Sequence, residues 1–94
     1  MLSVKQKVKL RSMAMTVKPI YQVGKDGITS NLVEGLNLAL EAHELIKITV
    51  LKSVPAPLKE IAYDLTSATK SELIQIIGRQ VILYKPSKKQ IIKL

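Results

Sequence analysis

Apolar positions along the chain alternate between helical and strand periods. Residues 3 to about 16 contain no glycine or proline, and Val4, Val8 and Met15 fall at i, i+4 and i+11, which is one stripe of an α-helix. Lys5 and Lys9 occupy the next stripe, with Lys7 and Arg11 on the other flank, so the pattern predicts an apolar seam turned inward between two rows of cations. Pro19 ends this helix, and residues 20–23 read as a short strand stopped by Gly24-Lys25-Asp26-Gly27. Helical spacing returns with Leu32, Val33, Leu36 and Leu40, entered through Thr29, Ser30 or Asn31 as N-cap, with Glu34 placed to complete a capping box on Asn31 and an end near His43.

Residues 45–51 alternate, Ile46, Ile48 and Val50 against Lys47 and Thr49, as a half-buried strand does. The turn at 53–57, with Pro55 and Pro57, leads into a third helix on Leu58, Ile61, Ala62 and Leu65 that stops around Thr69. Two β-rich runs, 72–77 and 80–85, are separated by Gly78-Arg79, a two-residue loop suited to a type II′ hairpin. Residues 87–94 form a basic tail with a short extra strand expected at Ile91-Ile92. The order is α-β-α-β-α-β-β. Strands joined through helices should run parallel by right-handed crossovers and the hairpin adds an antiparallel pair, so the expected fold is α/β, a single two-layer domain with a four-stranded mixed sheet.

Length allows one domain spanning 1–94, with a core of about 2–88 and a tail of 89–94. No stretch approaches the roughly 18 consecutive apolar residues of a membrane span, and the charged start lacks the apolar run of a secretory signal, so a cytoplasmic chain beginning at Met1 is expected. Absence of cysteine excludes disulfides, thiol nucleophiles and thiolate metal sites, and one histidine leaves no imidazole pair. Glu34, Glu41 and Glu44 read as a solvated helix face beside His43, and no serine sits in a nucleophile elbow, so neither catalysis, metal, cofactor nor a small-molecule substrate is expected.

Charge changes the picture more than composition does. The net charge is +8, and the first 25 residues hold six cations and no acid, residues 78–94 hold five and no acid, while all seven acids fall between. If the termini fold back toward each other, the cations converge on one basic face, and the partner is a polyanion. With no Phe or Trp and only three tyrosines, the chain has no aromatic platform for stacking bases, so contact with nucleic acid must lean on backbone and charge. The loop Gly24-Lys25-Asp26-Gly27 suits that purpose, because glycine leaves room for a phosphate to approach backbone N–H groups while Lys25 supplies charge. A Gly-x-x-Gly loop holds about four nucleotides this way in KH modules. Asp-Gly is also an ordinary turn signal. Arg79, Lys85 and Lys88 would extend the surface, and the convergence of both chain ends beside the loop is what this expectation requires.

The strings Leu10-Arg11-Ser12-Met13-Ala14, Lys18-Pro19-Ile20-Tyr21-Gln22-Val23-Gly24-Lys25-Asp26-Gly27 and Ala42-His43-Glu44-Leu45-Ile46-Lys47 occur in this order, followed by Gln75-Ile76-Ile77-Gly78-Arg79 and Val81-Ile82-Leu83-Tyr84-Lys85-Pro86-Ser87. Together they resemble the CRM (chloroplast RNA splicing and ribosome maturation) domain in its stand-alone bacterial YhbY-like form, over residues 2 to 88. The resemblance implies a KH-like fold similar to the C-terminal domain of bacterial translation initiation factor three, and binding to ribosomal RNA in precursors of the large subunit. By position, it places RNA at Gly24, Lys25, Asp26 and Gly27, at the basic residues of the first helix and its exit (Lys5, Lys7, Lys9, Arg11, Lys18), and near the last strand at Arg79, Lys85 and Lys88. The chain departs from the family pattern at Lys85, often arginine there, and in the stretch 53–57.

The expected partner is therefore RNA, bound by a monomer away from any membrane. Competing readings are a protein adaptor docking on an assembly factor or ribosomal protein, whose charge serves solubility, and a small basic DNA-binding protein.

Overall fold

The structure, a computed structural model, describes residues 2–94. Three helices, α1 (Val4–Ala14), α2 (Ser30–His43) and α3 (Leu58–Thr69), alternate with strands β1 (Pro19–Val23), β2 (Leu45–Val50), β3 (Glu72–Ile77) and β4 (Gln80–Tyr84) in the order the periodicity predicts. The strands form one sheet in the order β1-β2-β4-β3. β1 lies parallel to β2, while β4 runs antiparallel to both of its neighbours, so β2 and β3 are parallel with β4 inserted between them. Gly78 at φ +57 opens the β3–β4 turn and Arg79 does not share its positive φ, as a type II′ hairpin requires.

The fold is the expected single α/β domain with a four-stranded mixed sheet, and the sheet carries helices on both faces, α2 with α3 on one and α1 on the other. Ile46, Ile48 and Val50 of β2 and Val81 and Leu83 of β4 face α2 and α3, where they meet Leu36, Leu40, Ile61 and Leu65. The alternate residues Leu45, Ile82 and Tyr84 face the other way and are covered by Leu10 and Ala14 of α1. β2 is consequently buried on both sides instead of half-buried, and Lys47 lies down in the second layer with only 8% of its surface exposed. No buried side-chain polar atom among the described residues lacks a partner.

α1 turns the opposite stripe inward from the one predicted. Val4, Val8 and Met15 are 79%, 53% and 78% exposed, whereas Leu10 and Ala14 are buried, with Leu2, Met13 and Val17 packed beside them. Both stripes are apolar enough to serve. The one centred on Leu10 carries the larger side chain at the point where the sheet offers Ile74 and Ile82, and its burial leaves the valines outside. A capping box starts this helix: Ser3 Oγ accepts from Gln6 N–H and Gln6 Oε1 accepts from Ser3 N–H. In α2 the N-cap is Thr29, whose hydroxyl accepts from Leu32 N–H, so the box offered by Asn31 and Glu34 does not form.

The tail forms no strand at Ile91-Ile92. It folds back beside α1, with Ile92 packed in the second layer and Lys93 C=O accepting from Lys9 Nζ at 2.7 Å.

Candidate nucleic-acid interface

The glycine loop is a β-turn: Gly27 N–H donates to Gly24 C=O at 2.9 Å, and Gly27 adopts φ +71, leaving exposed Lys25 and Asp26 at the corners. It feeds directly into the N-terminus of α2, where the first-turn N–H groups precede the helix's own ladder and the positive end of the helix dipole lies. The parallel register fixes what lies beside it. Val23 pairs with Val50, and Leu51 N–H donates to Val23 C=O, so the end of β2 and the residues after it adjoin the loop. Arg79 reaches the same end of the sheet, donating from Nε to Val50 C=O at 2.8 Å and from Nη2 to Leu51 C=O at 2.9 Å. Its planar fork is thereby held rigid, with further N–H donors left over. Lys52, exposed just past β2, joins this group. Its place in the acid-rich middle of the chain gave no hint of that, and only the β1–β2 register could have supplied one.

The remaining cations lie elsewhere. Tyr84 pairs with Leu45 at the start of β2, whereas the loop follows the strand that meets its end, so the C-terminal segment leaves the sheet at the far end. Lys18 precedes β1 and Lys25 follows it, five strand residues apart, or about 16 Å at the usual rise. The two chain ends do meet, but they meet each other. Lys9 of α1 meets the tail at Lys93, while Lys5, Lys88 and Lys89 are exposed, Lys7 is half-buried and Arg11 donates from Nε to Ile74 C=O at 3.5 Å. The expectation that both ends converge beside the glycine loop is thus corrected: the tail folds back onto α1 at Lys9 and Lys93, and the loop with Lys25, Lys52 and Arg79 lies at the other end of the sheet. Lys85 belongs to neither, because its ammonium donates to Thr69 C=O at the C-terminus of α3.

Glu44, expected on a solvated face, is fully buried. It caps α2 at φ +65, and its carboxylate accepts from Ser87 N–H and Oγ–H and from Ile92 N–H at 2.6 to 2.8 Å. Burial by itself raises its pKa, but the amides of Ile92 and Ser87, the Ser87 hydroxyl and the Ile91 amide together hold the carboxyl below the ordinary range. This anion positions the basic tail.

No cluster of three or more potential metal ligands occurs among the described residues, and no helix among them is long and apolar enough to cross a membrane. These features define a small basic α/β module whose cations gather at one end of the sheet and over one of its faces. Residues 2–85 match the family model of the CRS1/YhbY (CRM) domain, and the chain belongs to that family. It is 44% identical to the probable RNA-binding protein YqeI of Bacillus subtilis over 94% of this chain and 92% of that one. It is 33% identical to an RNA-binding protein of Haemophilus influenzae over 99% and 94% of the two chains. The solution structure of the hypothetical protein SAV1595 from Staphylococcus aureus superposes with a TM-score of 0.79 at 45% identity, covering 94% of this chain and 92% of that one.

Proposed function

We propose that this protein binds RNA without catalysing a reaction, gripping the sugar–phosphate backbone, and that its target is ribosomal RNA in precursors of the large subunit. The observation that carries the first part is the loop end of the sheet, where a side-chain-poor turn, a helix N-terminus and the cations Lys25, Lys52 and Arg79 adjoin. The names of its relatives support the same chemistry. Helices cover both faces of the central strands and the chain has no Phe or Trp on which bases could stack, which favours backbone contact. The ribosomal target follows from the family resemblance, and crosslinking in bacterial cells followed by identification of the bound transcript tests it. The protein acts in this reading as a cytoplasmic monomer.

Fluorescence titration against structured RNA at several salt concentrations tests the grip. About five phosphate contacts to a single strand give a log–log slope of about −3.5, so a fourfold rise in salt weakens binding roughly a hundredfold. Lys25→Glu removes most of the affinity while leaving the fold intact. A flat salt response rejects the electrostatic grip, and unchanged affinity in the variant removes the loop from it.

One observation favours a second reading, the protein adaptor. The solvent face of α1 sets Val4, Val8 and Met15 between cationic rows, and exposed aliphatic groups match nothing on a phosphate backbone. A protein retained after nuclease treatment by the wild type and lost with Val8→Glu would support it.

A further inference from the structure

The first strand, the C-terminus of α1 and the folded-back tail border an open hollow of about 490 Å³ walled by the side chains of Met13, Val17, Ile20, Leu45 and Ile92. Its polar lining residues are Lys18, His43 and Thr16, all of them exposed to solvent. Thr16 Oγ1 donates its proton to Met13 C=O, so it presents lone pairs to a ligand. β1 has a strand neighbour on one side only, which leaves backbone N–H and C=O groups along its outer edge. No acid lines the hollow among the described residues, unlike the depression beside Leu2 and Tyr84, which Glu44 and Glu72 border.

We infer that this hollow is a nucleobase pocket, holding one unstacked base of a bound strand with its phosphate at Lys18. The inference rests on the RNA-binding reading and deepens it. An apolar lining beside an exposed lysine and exposed hydrogen-bonding side chains matches a flat body with polar edges and an attached anion, which is the chemistry of a nucleotide. The volume suits a ligand of that size. Over the central strands the sheet is closed to a base on both faces, by α1 and by α2 with α3. The pocket also lies at the opposite end of β1 from the glycine loop, so a strand held at the loop and running along β1 brings a later nucleotide to it. Ile20, 45% exposed at its mouth, is an apolar residue on an edge strand that packing alone does not require.

The test is a titration of the full chain, followed by methyl NMR, with the four nucleoside 5′-monophosphates and with ribose 5-phosphate as the base-free probe. At least one nucleotide shifts the methyl signals of Met13, Ile20 and Ile92 saturably, and ribose 5-phosphate does not. Ile20→Ser, at an exposed site, abolishes the shift and lowers affinity for single-stranded RNA about tenfold while leaving the salt slope unchanged, because it removes a base contact and no phosphate contact. Equal shifts with ribose 5-phosphate, silence of these methyls with all four nucleotides, or wild-type RNA affinity in Ile20→Ser would overturn the assignment. Failure of the RNA reading itself looks different: the wild type then shows no salt-dependent RNA binding, and Lys25→Glu changes nothing.

Discussion

Replacing Glu44 by glutamine preserves the size of the side chain that pins the tail and removes its charge. The carboxylate accepts three hydrogen bonds, and bonds to a charged group contribute about 1.5–3 kcal/mol each. They do not add, since Ser87 and Ile92 regain water when the tail lets go. An amide keeps one oxygen and turns an NH2 donor toward other donors, so the expected loss is about 2 kcal/mol, confined to residues 86–94. Hydrogen exchange of the Ser87 and Ile92 amides measures it directly, and 2 kcal/mol corresponds to roughly thirtyfold less protection. The pH dependence has a definite sign. Because the folded carboxyl is held below its ordinary value, the folded protein binds fewer protons than the unfolded chain between the two values. The contribution is therefore complete above the ordinary carboxylate range and disappears as pH falls through the lowered value. Tail protection follows that course in the wild type and is flat across it in Glu44→Gln. Wild-type protection in the variant, or the same acid profile in both proteins, would refute the clamp. The backbone at Glu44 adds a second check, since Glu44→Gly relieves a positive φ that Glu44→Ala retains and should be the more stable of the two by about 1 kcal/mol.

Gly35 admits no side chain without disturbance: a Cβ there would lie 2.7 Å from Tyr21 Oη and 3.0 Å from its Cζ, so Gly35→Ala should lose about 1–2 kcal/mol in denaturant titration despite its better helix propensity, and Tyr21→Phe should relieve part of that loss. Leu10→Ala should cost about 2–5 kcal/mol and Val4→Ser under about 0.5; equal costs in thermal melts would mean that α1 packs through the other stripe. Gly27→Ala should cost about 1 kcal/mol from its positive φ alone, since no atom lies within 4 Å of the added carbon, and Gly27→Asn should recover part of it by the same assay.

The order of elements was legible because the 3.6 and 2 residue periods, the prolines and the glycine turns are local signals. The glycine turn and its handover to α2 were legible for the same reason, and Gly78-Arg79 forms the hairpin its residues specify. Lys52 beside the loop and Lys85 capping α3 were not, since each depends on which strand lies next to which. Glu44 looked like its neighbours Glu41 and His43 on a polar helix end. Its burial depends on Ser87 and Ile92, more than forty residues away.

Alone, the sequence determined that a short basic chain alternates helices with strands, places a glycine turn at a helix start, and keeps its acids out of both ends. Tertiary structure decided which apolar stripe of α1 faces inward, that the sheet is covered on both sides, and that the two chain ends meet each other and not the glycine loop. The physical reason is one of range. Period, capping and turn chemistry act over a few residues, whereas the inward face of a helix, the burial of a carboxylate and the company of a cation are set by strand order and register, which only the folded sheet supplies.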